Sequence, residues 1–260
     1  MGPALIQGAS RGLGLQFCRA LASRGTTVIA CCRDPSKAGD LRSLQSDHPS
    51  LVDIVQLDVS SEGAVEEAAQ HVKSSHGKAL DLLINCSAML SPSGRGETSL
   101  KDVSMKALQE TFTVNAFGPL VMAKHFGPLL LAGEGSVGRQ GSEGKKKHTS
   151  VVVNMSARVG SIADNKLGGW YSYRMSKAAL NMATRNLSIE LGRGRNKVIC
   201  VAMHPGTVDT DLSRPYHKNV PKGKLFSKDQ SVGYLLGIID GLSLEDSGKY
   251  IGWDGVEIPF

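Results

Sequence analysis

Ala4-Leu5-Ile6-Gln7-Gly8-Ala9-Ser10-Arg11-Gly12-Leu13-Gly14 is the stretch on which the fold turns. Ala4-Leu5-Ile6 is a short apolar run of strand type, the glycines make a turn, and an amphipathic stretch to about Ser23 follows as a helix. Glycines in a strand-to-helix turn allow a tight bend, close approach of backbone to a pyrophosphate, and packing of the helix on the strand. The helix start then offers free N–H groups and the positive end of its dipole to that anion. Gly8, Ser10, Arg11, Gly12, Leu13 and Gly14 are therefore candidate contacts to a dinucleotide. The competing reading is an ordinary glycine-rich turn.

The same rhythm continues outward from this turn. Apolar runs at 27–30, 51–57, 80–84, 151–153, 197–201 and, more weakly, 250–251 read as strands. Stretches at 62–75, 108–131 and 170–191 read as helices. The strands are continuous Val/Ile/Leu-rich runs, which marks a parallel sheet covered on both faces. Right-handed crossovers then predict an α/β fold: a single doubly wound Rossmann domain over 1–260, with a parallel sheet of about seven strands and helices on both faces. The span 133–149, rich in Gly, Ser and Lys and carrying Lys145-Lys146-Lys147, reads as a flexible surface loop. The span 207–230, with Pro215 and Pro221, reads as a lid over the substrate.

Composition narrows the function classes. Of 260 residues, 41% are hydrophobic and 21% charged, which excludes a disordered or fibrous chain. The net charge is +6, but aromatics are only 5% and no basic stripe interleaves with them, against a nucleic-acid reader. Five scattered cysteines without a Cys-x-x-Cys spacing argue against a disulfide framework and against a metal site. No apolar run approaches the roughly 20 residues needed to span a bilayer, and no signal-peptide layout opens the chain. The expected location is the cytoplasm.

In dinucleotide folds an acidic residue about 20 positions beyond the glycines holds the ribose 2′-hydroxyl of NAD. Asp34 lies near that distance, but the second strand runs out at Cys31-Cys32-Arg33, so a guanidinium comes first. Arg33 together with Arg11 would clamp a 2′-phosphate, which favours NADP(H) over NAD(H). Further along, Tyr173 and Lys177 stand four residues apart within a helical stretch and so share a face. A cation beside a phenol lowers its pKa from about 10, which would make Tyr173 a general acid/base near neutral pH.

Gly8-x3-Gly12-x-Gly14, Tyr173-x3-Lys177 and the parallel α/β rhythm together resemble the short-chain dehydrogenase/reductase family over essentially the whole chain. Residues 155–161 (MSARVGS) and 168–174 (GGWYSYR) are most similar to C-factor and sniffer-type carbonyl reductases. The resemblance implies that Asp58 and Val59 contact the adenine, that Asn85 lies in the cofactor site, and that Asn115 supports a proton-relay water. It also implies that Pro205, Gly206, Thr207 and Val208 lie against the nicotinamide. Two positions depart from the family pattern. Gln7 replaces the usual Thr, and Ala157 stands where the family's catalytic Ser is expected, one residue after Ser156. Ser156 is assigned that role, with Ser161 as the alternative.

The implied activity is NADPH-dependent reduction of a small-molecule carbonyl, aldehyde or ketone. Tyr173 would donate the proton, Lys177 would hold the nicotinamide ribose, Ser156 would polarise the oxygen and Asn115 would keep the water. The two alternatives are a catalytically inert dinucleotide-binding sensor and an NAD-dependent alcohol dehydrogenase. The ending 248–255 resembles the family's last strand, which implies a homo-oligomer.

Overall fold

Each apolar run becomes a strand. In chain order they are β1 (Ala4–Gln7), β2 (Val28–Cys32), β3 (Val52–Gln56), β4 (Leu82–Asn85), β5 (Ser150–Met155) and β6 (Val198–His204). A short pairing of β7 (Thr207–Val208) with β8 (Leu225–Phe226) stands apart, and β9 (Tyr250–Gly252) completes the main sheet. These elements come from a computed structural model that describes residues 2–139 and 148–260. The main sheet has seven parallel strands in the order β3-β2-β1-β4-β5-β6-β9. Its direction of growth reverses between β1 and β4, and the crevice beyond the carboxyl ends of those strands is where this topology binds ligands.

Helices α1 (Gly12–Ser23), α2 (Gly39–Asp47) and α7 (Lys228–Gly241) cover one face; α3 (Glu62–Ser75), α5 (Gly118–Leu131) and α6 (Tyr171–Glu190) cover the other, with α4 (Met105–Phe112) leading into α5. The strands supply both cores by alternation. Ala4, Ile6, Val151, Val153, Ile199 and Val201 enter the first core, and Leu5, Val152, Val198 and Cys200 the second. Both faces are apolar, so the strands show no polar-apolar alternation in the sequence.

The helix expected over 108–131 is instead α4, a π-helical turn at Thr113–Phe117, and α5. Pro119 has no N–H to give the carbonyl four residues back, that of Asn115. Asn115 in turn spends its side chain outside the helix, accepting from Met89 N–H at 2.9 Å and donating to Met89 O at 2.8 Å. Two helices escaped the patterning. In α2 only Leu41 and Leu44 are buried, and α7 is masked by Gly233 and Gly237. The start of α7 is a reciprocal cap between Ser227 and Gln230, so the last three residues of the expected lid, 228–230, are helix.

The expected loop at 133–149 is described only at its two ends; its Lys145-Lys146-Lys147 run lies outside the described residues. Those ends are tied down rather than loose. The buried Asp81 carboxylate accepts from Glu134 N–H at 2.8 Å and Ser136 N–H at 2.9 Å, and Gly135 N–H donates to Thr149 O at 2.7 Å. Among the described residues no helix is long and apolar enough to cross a membrane.

Candidate active site

The glycine turn is shaped by backbone pressed against backbone. Gly8 has φ +85°, and a Cβ there would lie 2.7 Å from Ser87 N. A Cβ on Gly14 would lie 2.2 Å from Gly8 O, so helix and turn meet with no room for a side chain. Gln7 closes the floor. Its side chain donates to the Ser87 hydroxyl and accepts from Ser87 N–H at 3.0 Å, which joins the ends of β1 and β4. Helix α1 begins behind Arg11, whose side chain makes no cap hydrogen bond, so the helix start is left to face the cavity.

That cavity, of about 380 Å³, is walled by Gly8, Ser10, Arg11, Gly12, Leu13 and Gly14 on one side and reaches Tyr173 and Lys177 on the other. Arg33 is exposed on its rim. Asp34 is turned away: its carboxylate pairs with Lys37 at 2.8 Å and accepts from Ser36, and these hydrogen bonds hold it down at about 2. Arg11 pairs instead with Asp211 at 3.2 Å, and Asp211 also holds Arg214 at 2.7 Å. Asp58 and Val59 lie on the wall, with Asp58 anchored by Ser60 N–H and hydroxyl at 2.9 and 2.7 Å.

Tyr173 and Lys177 stand one turn apart on α6, 6% and 1% exposed. Lys177 Nζ donates to Met155 O at 2.7 Å and lies 5.8 Å from the centre of the Tyr173 ring. Proximity alone predicts a lowered phenol pKa; the structure reverses that direction. Burial raises Tyr173 above the usual phenol range and lowers Lys177 to about 7, because both charged forms are stripped of water. Burial likewise pushes the Cys86 thiol on the same wall up to about 12.

Other expected residues sit less directly. Ser156 reaches the wall, but its hydroxyl donates to Asn181 at 2.6 Å. Ser161 is off the wall, donating to Pro259 O. Asn85 is turned into the sheet, donating to Asn154 at 2.8 Å, and its own carbonyl oxygen has no partner among the described residues. In-register pairing of Asn85 with Asn154 is what directs it there. Asn115 is fully buried and binds Met89 and Ser176. Of the 205–208 stretch, Pro205 reaches the cavity, while Thr207 and Val208 form β7 and Gly206 packs under Phe226. Ser87, Met89, Thr210 and Leu212 also line the wall; Thr210 and Leu212 fall within the expected lid, whereas Ser87 and Met89 were not singled out as site residues. The one available signal was Gln7 in place of Thr, which is the partner of Ser87.

These features fit a dinucleotide phosphate. The turn has no room for a Cβ at Gly8 or Gly14, the helix start has no side-chain cap, and Arg33 is exposed on the rim with no side-chain partner among the described residues. Among the described residues no group of three or more His, Cys, Asp or Glu could hold a metal ion.

Comparison with known proteins agrees with this geometry. The profile of the short chain dehydrogenase family matches residues 3–221. An uncharacterized oxidoreductase of Schizosaccharomyces pombe is 31% identical over 266 residues, covering 98% of this chain and 96% of its own. A crystal structure of NADPH-bound carbonyl reductase from chicken fatty liver superposes with a TM-score of 0.85 at 33% identity, covering 100% of this chain and 98% of that one. The carbonyl reductase Sniffer of D. melanogaster superposes with a TM-score of 0.86 at 28% identity over the whole of both chains.

Proposed function

The chain belongs to the short-chain dehydrogenase family, and from that premise we propose that it is an NADPH-dependent carbonyl reductase, one domain over 1–260, acting on an aldehyde or ketone. The observation that carries this reading is the convergence of buried Tyr173 and Lys177 on the cavity that the glycine turn opens. The glycine turn, Arg33 and Lys177 would hold NADPH in that cavity, and the cofactor would supply the hydride there. Tyr173 donates its phenolic proton to the oxygen of the reduced carbonyl; burial keeps that proton in place until the oxygen needs it. Lys177, poised near neutrality, stabilises the phenolate in its charged form. The Asn115 side chain holds the 89 backbone, and its carbonyl, without an N–H from Pro119, is the group suited to keep a water in the proton path. Ser156 polarises the carbonyl by exchanging Asn181 for the substrate oxygen.

The preference for NADP(H) is supported by Arg33, exposed on the rim without a side-chain partner among the described residues, with Arg11 within reach of the turn, and by Asp34 being occupied by Lys37. The relative from chicken fatty liver is NADPH-bound. An apolar stripe of exposed Met175, Met182 and Ile189 on α6, with Phe117 and Leu120 beside it, supports a homo-oligomer. The cytoplasm, a reducing compartment, suits the five unpaired cysteines.

A second reading, an inert dinucleotide-binding sensor, is favoured by one observation: Ala157 has no hydroxyl and that of Ser156 is donated elsewhere. The experiment that separates them follows loss of NADPH absorbance with a panel of aldehydes, ketones and diketones. Wild type should turn over and Tyr173→Phe should lose about 1000-fold in kcat. Tight NADPH binding without turnover in either protein would put the sensor first, and turnover only of alcohols with NAD would favour the dehydrogenase.

A further inference from the structure

Three segments border the mouth of the cavity: the 86–97 loop after β4, the 168–173 stretch that opens α6, and the 207–226 segment. They meet at Glu97. This carboxylate is only 6% exposed, and both its oxygens face residue 172. Oε1 accepts from the Ser172 hydroxyl at 2.5 Å and Oε2 from Ser172 N–H at 3.3 Å. The main-chain oxygen of Glu97 accepts from Trp170 N–H at 2.6 Å.

The start of α6 explains why these bonds come from so far away in sequence. Trp170 occupies the cap position, where a Ser, Thr, Asp or Asn would satisfy the first N–H groups and an indole cannot. Among the described residues Trp170 is also the one non-glycine with left-handed backbone, φ +50°, a conformation that persists only where surroundings impose it. Position 170 is used for contact instead of capping. Its indole lies edge-on to Tyr173, 6.2 Å between centroids, and against Tyr216 at 4.4 Å. Gly96 fits beneath it, since a Cβ there would lie 2.6 Å from the indole, and Gly96 N–H donates to the Tyr216 hydroxyl at 2.8 Å. A buried carboxylate is costly unless fully hydrogen-bonded, and the N-terminus of a helix is where its charge is favoured.

We propose that Glu97 is a positioning residue: it caps α6 from the opposite side of the mouth, holds Trp170 in its strained conformation, and so sets where the Tyr173 phenol stands. Tyr216 brings the 207–226 segment onto the same contact. The assignment rests on the reductase reading only in taking Tyr173 as the proton donor.

The test uses full-length protein with NADPH and the variants Glu97→Ala, Glu97→Gln and Ser172→Ala. With Glu97→Ala, kcat should fall about 30-fold while the carbonyl KM and the NADPH Kd stay within about threefold, the signature of a displaced donor. Glu97→Gln keeps an acceptor for Ser172 and should recover kcat to within about threefold of wild type. A readout independent of turnover is fluorine NMR of protein carrying 3-fluorotyrosine at its five tyrosines, with the Tyr173 signal assigned by its absence in Tyr173→Phe. That signal should move in Glu97→Ala, hold in Glu97→Gln, and move less but in the same direction in Ser172→Ala, which serves if Glu97→Ala does not fold. A Tyr173 signal unmoved by both Glu97→Ala and Ser172→Ala would overturn the assignment. So would a Gln variant no better than the Ala variant, or NADPH binding lost in step with kcat. If wild type reduces no carbonyl, the reductase reading falls, and the NMR signal still decides the role of Glu97.

Discussion

The glycine turn at 8–14 and the 207–226 segment border the same cavity and are held in opposite ways. The turn is mainly backbone against backbone: Gly14 on Gly8 O, and Gly8 on Ser87 N with the Ser87 hydroxyl equally close. The segment is held by side chains. Phe226 packs on Trp253 and Tyr234 at 4.5 and 5.8 Å, Tyr216 on Trp170, and Asp211 between Arg11 and Arg214, with two residue pairs of strand pairing between them. Backbone contacts define one geometry, whereas ring and ion-pair contacts yield by rotamer changes and open locally at low cost. The first suits a ligand of fixed shape; the second suits a mouth that takes ligands of differing shape.

The sharpest way to break this contrast is a matched pair of alanines. Gly14→Ala puts its Cβ into a backbone carbonyl and should weaken NADPH, by fluorescence titration, at least about 100-fold. Gly206→Ala, at φ +81°, meets the Phe226 ring at 2.7 Å; the ring can swing, so the loss should be about fivefold despite the strained backbone. Equal losses would mean that the Phe226 ring, which anchors the segment against Gly206, is as rigid as the turn. Within the rigid half, Arg33→Asp should raise the NADPH Kd about 30-fold and leave NADH within about twofold, the scale of a lost charge-assisted contact to a phosphate. Parallel losses for both cofactors would remove Arg33 from 2′-phosphate recognition.

The smallest effect concerns the buried lysine between the two regions. The folded Lys177 gives up its proton near 7, whereas the unfolded lysine keeps it to 10.5. Between those values the unfolded chain binds more protons, so stability rises with pH. Lys177→Met should therefore raise Tm by about 3 °C at pH 7, lose activity, and show less of the pH-dependent rise than wild type. A lower Tm in the variant would mean that the buried ammonium is a net support of the fold.

How far the sequence could be read depended on how local the deciding interaction was. Strand runs and the glycine turn are local, and both were legible. The α2 and α7 helices were not, because two buried leucines or a glycine-interrupted stripe make too weak a period to stand out. Asn85 and Ser156 were legible as polar residues at strand ends, but their directions were set by Asn154 and Asn181, partners more than 20 residues away. Glu97 gave no signal at all, since its target lies 75 residues on.

The sequence by itself determined the doubly wound sheet, the glycine turn and the shared face of Tyr173 and Lys177, because each follows from steric rules acting over a few residues. Only the tertiary structure decided what those groups are. Packing of α6 against the sheet and the surrounding loops strips water from Tyr173 and Lys177, and that desolvation, not their spacing of four residues, sets the direction in which each pKa moves.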